Sequence, residues 1–200
     1  MQIAAVVERL KLEKMANKLF IGIDPAFRKN GFAMCIIDMS DKTVFFKMFK
    51  NGFLDFVGWF LHESPDTALF CVENSNLSNV TFWTHKDSKT GALLTAAQAR
   101  RNPRAIKLST KEVAKISRNV GKNQAISQNV VDLLNTKYPV VNISPKEKGK
   151  KWLKNKTAQA YLFTERLKAT KNTTNQDERD ALLLAKIAKQ KPYLAQKVKK

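Results

Sequence analysis

The sequence predicts an α/β protein built on a mixed five-stranded sheet, three antiparallel strands plus two parallel ones, flanked by helices. Three observations predict it. The apolar runs 19–23, 31–38 and 43–49 follow one another with only turn residues between them, which is the spacing of an antiparallel meander. Two further apolar runs, 68–73 and 140–143, each come after a stretch of helical periodicity, as strands reached by helical crossovers do. A chain of 200 residues, 44% hydrophobic with 7 Gly and 6 Pro, has the material for one domain with a substantial core.

In chain order, Ile3, Val6, Val7 and Leu10 have helical spacing and predict a helical extension over residues 1–16. Met15, just before the first strand, is a candidate alternative translation start. The main domain is expected over 17–190. Its first strand is Leu19–Ile23, and the turns of the meander hold Pro25, Asn30 and Ser40-Asp41. Phe53, Phe56, Val57, Phe60 and Leu61 line one face of a helix over 53–62. Residues 68–73 are continuously apolar until Glu73, which suits a strand in mid-sheet.

The polar stretch 74–90 reads as a long loop carrying Phe82, Trp83, His85, Lys86 and Lys89, and loops of that length are commonly functional. Helices are expected over 93–101 and 112–138, with a restart near Ser117–Lys122. After the strand at 140–143 come six lysines between 146 and 156 against one acid, Glu147. Helices over 157–168 and 177–189, joined by a polar link, complete the domain, and 191–200 is a basic tail.

Composition limits function. Lys and Arg number 36 against 17 acids, a net charge of +19. Such an excess favours a phosphate backbone as partner. No apolar run reaches the roughly 20 residues of a membrane span, and no segment combines an aromatic face with a lysine face. The N-terminus lacks the basic and apolar regions of a secretion signal. A cytoplasmic location is expected, in a bacterium or a virus-infected host. Cys35 and Cys71 both lie in apolar runs and are expected to be buried, reduced thiols. With two His and two Cys set far apart, a zinc cluster is excluded and any metal has oxygen ligands.

Four acids stand where a basic chain has little reason to place them. Asp24 ends the first strand, Glu73 ends the fourth, and Asp177 and Asp180 open an apolar helix. Each has an ordinary explanation. Asp24 before Pro25 can start a turn, Glu73 can be a solvated strand end, and Asp177 and Asp180 have the spacing of a helix cap and its third residue. Taken together they suggest more. If the strands at 19–23 and 69–73 are neighbours, Asp24 and Glu73 emerge side by side. Acids at i and i+3 share a helix face, so Asp177 and Asp180 can point at the same spot. Four clustered carboxylates repel unless cations neutralise them. Oxygen-only ligands suit Mg²⁺ or Mn²⁺, and a pair of such ions serves phosphodiester hydrolysis.

Gly22-Ile23-Asp24-Pro25, followed by Arg28, Gly31 and Phe32, resembles the first motif of the RuvC family of Holliday junction resolvases, which have the ribonuclease H-like fold. Val72-Glu73 is similar to the second motif, Ala97-Gln98-Ala99-Arg100 to the short motif after it, and Asp177-Glu178-Arg179-Asp180-Ala181-Leu182 to the closing Asp-x-x-Asp-Ala helix. The resemblance runs from about residue 19 to 189 and agrees in the order and spacing of all four acids. It implies a homodimeric endonuclease that resolves four-way DNA junctions by paired symmetric nicks. Asp24, Glu73, Asp177 and Asp180 would be catalytic ligands for two Mg²⁺ or Mn²⁺ ions.

Expected DNA contacts are Phe82, Trp83, Lys86, Arg100, Arg118, Lys122, Lys148, Lys150, Lys151 and Lys156. Lys148, Lys150 or Lys156 would contact phosphates, and Phe82 or Trp83 would stack at the junction centre. The chain departs from the family in three places: Ala26 stands where Gly is usual, 74–92 is longer, and the leader is extra. These departures point to a divergent branch, such as a viral one. Alternatives are an RNA-processing nuclease of the same fold or a protein that holds branched DNA without cutting. An actin-like ATP-binding protein needs more chain and more glycine than are present.

Overall fold

A computed structural model describes residues 19–26, 31–77, 83–149 and 152–196. The extension at 1–16, Arg28, Phe82, Lys150, Lys151 and residues 197–200 lie outside the described residues.

Strands β1 (Leu19–Asp24), β2 (Phe32–Asp38) and β3 (Thr43–Phe49) form the expected antiparallel meander. Helix α1 (Phe53–His62) crosses to β4 (Leu69–Glu73), which lies parallel to β1. Strand β8 (Val140–Ile143) lies parallel to β4. Two-residue strands at the edges, β9 (Lys168–Ala169) beside β3 and β10 (Ala195–Gln196) beside β8, make seven strands among the described residues instead of five. The order is β10-β8-β4-β1-β2-β3-β9. Two residues carry no periodicity to recognise, and docking against a long strand decides their conformation.

The region 83–109 differs most from expectation. The segment expected as one long loop ending in a helix folds into a second sheet, in the order β6-β5-β7, from β5 (His85–Asp87), β6 (Leu93–Leu94) and β7 (Ala105–Lys107). Only Ala96–Ala99 is helical there (α2), capped by Thr95 and Gln98. His-Lys-Asp has no apolar alternation, so its strand is invisible in the sequence. Asp87 organises it instead. Its carboxylate accepts hydrogen bonds from Lys89 N, Thr90 N, Thr90 Oγ1 and Asn102 Nδ2, at 2.9, 2.8, 3.1 and 2.8 Å.

Helix α3 (Thr110–Asn135) is continuous over 26 residues, with no restart near Ser117–Lys122. Gly121 has open space beside it, so it interrupts nothing. Ser109 and Glu112 form the capping box that starts the helix. Helices α4 (Asn155–Thr164) and α5 (Gln176–Gln190) follow β8.

The main sheet is covered on both faces. On one, α1 and α3 pack Phe56, Trp59, Val130 and Leu134 against Ile21, Ile23, Phe32 and Phe70. On the other, α4 and α5 pack Tyr161, Leu162, Leu182 and Leu184 against Cys35, Cys71 and Val141. Each large side chain buried this way contributes about 1.5–3 kcal/mol. Both cysteines are buried and unbridged. No helix of the described residues is long and apolar enough to cross a membrane.

Candidate active site at the ends of β1 and β4

Strands β1 and β4 run parallel with Ile23 opposite Val72. One step further along that register, Asp24 and Glu73 emerge as neighbours. Side chains alternate along a strand, so Asp24 shares a face with Gly22, and Glu73 shares that face with Cys71. This is the face on which α5 lies.

Gly22 is what allows α5 to lie so close. A Cβ at this position would fall 2.0 Å from the Ala181 carbonyl oxygen and 2.3 Å from the Ala185 nitrogen. Helix backbone and strand backbone are thus in direct contact, and α5 begins over the strand ends where Asp24 and Glu73 emerge. Its own cap is Asn175, whose side chain accepts from Glu178 N at 2.9 Å while Glu178 accepts from Asn175 N. Asp177 and Asp180 therefore do not cap the helix, although Asp177 lies in its first turn, where the dipole favours an acid. Asp180 is buried, and its Oδ1 accepts from Gln176 Nε2 at 2.9 Å.

The fifth member of the cluster is a cation. Lys148, only 5% exposed, directs its ammonium group onto Glu73, with Asp180 Oδ2 at 3.4 Å. The sequence places Lys148 in an exposed basic run; the fold turns it inward. The turn that does so runs from Ser144, just past β8. Ser144 N donates to Glu147 Oε2 at 2.7 Å, Lys148 N donates to Ser144 O at 3.2 Å, and Gly149 follows at a positive φ of 82°. The Asp24 carboxyl is pushed up to about 7: burial raises it most, Lys148 lowers it, and Glu73, Asp180 and Asp177 raise it. All four acids thus act on one spot. Lys148 is held above its ordinary value. Burial pulls it down, but Asp24, Glu73 and Asp180 outweigh that.

Donor chemistry fits a hard divalent cation: four carboxylates, no imidazole, and one carboxyl that burial and repulsion push up to about 7. The spacing is not that of a closed cage. Among the described residues, no three His, Cys, Asp or Glu side chains are grouped tightly enough to hold an ion as they stand. An ion here would need the acids to draw inward and Lys148 to give way.

Sequence reading missed Arg179. It is buried inside the Asp-Glu-Arg-Asp run and donates to the carbonyls of Trp152, Thr174 and Leu153. It clamps the middle of the lysine run, at Trp152 and Leu153, to the start of α5. An arginine between two candidate ligands was the available signal. The expected DNA contacts are scattered. Trp83 is half-buried at the entry to β5. Lys86 pairs with Glu112 at 2.5 Å. Arg100, Arg118, Lys122 and Lys156 are exposed. No family model, curated protein or solved structure matches the chain, so the site's own geometry and chemistry carry its functional reading.

Proposed function

We propose that this protein is a divalent-cation-dependent endonuclease with a ribonuclease H-like fold, acting on four-way or branched DNA as a homodimer. One observation carries the reading: acids from three separate elements, β1, β4 and α5, act on each other at one place in a chain of net charge +19. The meander followed by two parallel strands, with the last helix laid over β1, supports the fold assignment.

In this reading Asp24, Glu73, Asp177 and Asp180 hold Mg²⁺ or Mn²⁺. When bound, these ions supply Lewis-acid charge for activating water and for the departing oxygen. Asp24, central between the strand end and α5 and pushed up to about 7 by burial and its neighbours, would bind such ions as its carboxylate. Lys148 offsets the repulsion between Glu73 and Asp180, and its ammonium would be available to a phosphate oxygen if a divalent ion took over that role. Arg179 keeps the following segment, including exposed Lys156, alongside the acids.

A second reading has one observation behind it. Lys148 already neutralises part of the cluster, as it would in a protein that grips branched DNA without cutting. A gel assay separates the two. A synthetic four-way junction is labelled on each strand in turn and incubated with Mg²⁺ or Mn²⁺, beside a structured RNA. Paired symmetric nicks in the DNA are expected. Binding with no nicks under either cation favours the second reading, and cleavage of the RNA alone moves the substrate class.

A further inference from the structure

Helix α3 is longer than its packing needs. Its fully buried residues, Ser127, Val130, Val131 and Leu134, all belong to its last third. The first half carries Lys111, Lys115, Arg118 and Lys122, all exposed. At about 100° per residue these four fall within an arc of roughly 60°. Val113, Ile116 and Val120 continue the line of Ser127, Val131 and Leu134 on the opposite side. Val113 is 38% exposed, and Ile116 and Val120 are half-buried. The basic row is therefore the outward face of a helix whose other face turns toward the body.

An outward face is ordinarily mixed in sign. This one is not. Between Ser88 and Val131 there are nine Lys and Arg and one acid, Glu112. That acid is already engaged: it caps Ser109 and pairs with Lys86. The spacing also sets like charges at i, i+3 and i+4, which weakens a helix, and puts Lys111 in the first turn, where the helix dipole favours acids. Both placements weigh against the helix, and an external polyanion would offset them. The chain leading into Ser109 is basic as well: Arg100, Arg101 and Lys107 are exposed, and Lys86 of the second sheet ties it to the start of α3 through Glu112.

We infer that the outward row of α3, with the adjoining β5–β7 sheet, is a separate binding surface for the phosphate backbone of duplex DNA. It rests on the nuclease reading only for the choice of DNA as polyanion. The row rises about 16 Å along the helix from Lys111 to Lys122, enough to follow a few consecutive phosphates of one strand. It would hold a duplex arm while the acids act elsewhere, so it carries affinity without sequence preference.

The test reads binding of the full chain to a fluorescent 20-base-pair DNA duplex in EDTA, so that it stands apart from any cutting. Two variants are compared with wild type, each losing three charges. One is Lys111→Ala/Lys115→Ala/Arg118→Ala; the other, as control, is Lys50→Ala/Lys168→Ala/Lys191→Ala. Alanine favours helix, and circular dichroism with a melting curve checks that both variants fold. The α3 variant is expected to lose about tenfold or more in affinity, with its salt slope flatter by about three ions. The control should stay within about twofold of wild type. Equal losses in the two variants would reduce the row to general charge. Tighter binding of an RNA duplex of the same sequence would overturn the choice of DNA. A nuclease that fails to cut but shows the expected binding difference leaves this surface standing.

Discussion

Two aspartates of this protein live in opposite surroundings. Asp87, in the small sheet, accepts hydrogen bonds from two backbone amides, a threonine hydroxyl and the Asn102 amide. The Asn102 bond is the largest influence holding its carboxyl well below the usual range. Asp24, at the end of β1, is pushed up to about 7 by burial and by Glu73, Asp180 and Asp177, with Lys148 in partial opposition. A carboxylate that its neighbours satisfy is there to hold a turn. One that its neighbours repel opposes folding, which marks it as a candidate for another role. The two acids thus differ in the electrostatics of their own surroundings, one lowered by hydrogen bonds and one raised by burial.

The contrast breaks most sharply at Asp24. Asp24→Asn is expected to cut nicking of a four-way junction by about 10³-fold or more, the scale of losing a principal electrostatic group, while junction binding in EDTA stays equal or tightens. The same variant reports on stability. The folded carboxyl of Asp24 lies above its ordinary value of 3.8. The protonated form is therefore the one that folding favours. Stability from this group is complete below about pH 4 and is lost as pH rises through 7, by up to about 4 kcal/mol. Metal-free wild type should accordingly melt lower at pH 8 than at pH 5.5 relative to Asp24→Asn. Parallel melting temperatures at the two pH values would place Asp24 in water, outside any cluster.

Lys148 tests the other side of the balance. Lys148→Met leaves Glu73 and Asp180 without their counter-ion and is expected to cost about 3 kcal/mol or more in EDTA, with millimolar Mg²⁺ restoring a large part. Denaturant titrations with and without Mg²⁺ measure both. Loss without recovery would mean that the lysine is a core strut, with no cation able to take its place.

The smallest effect belongs to Asp87. Asp87→Asn keeps the shape and removes the charge. Amides of β5–β7 should lose about tenfold in hydrogen-exchange protection, while those of β1, β2 and β4 keep theirs. Equal losses in both sheets would mean that they open as one unit.

How legible all this was in the sequence follows from the range of the interactions. The meander, α1, β4 and β8 announce themselves because apolar period and strand length are local properties, and the two parallel strands lie where the helical crossovers suggest. Asp24, Glu73, Asp177 and Asp180 stand out as acids at element ends, and the fold brings their influence together. His85–Asp87 shows no strand pattern, since its conformation comes from side-chain bonds to Asn102 and Thr90. Lys148 looks like one of six exposed lysines. Only the turn after β8, closed by Ser144 and Glu147, sends it inward. The capping role expected of Asp177 and Asp180 falls to Asn175 and Glu178, one box earlier.

The backbone contact at Gly22 also has a temporal side. Asp24 and Glu73 leave the ribosome early, while α5, which lies against Gly22 and carries the other two acids, is made more than a hundred residues later. A nascent chain holds half a cluster and no overlying helix. The assembled constellation is therefore a property of the finished domain, and any cutting that depends on it starts only after synthesis has passed residue 190.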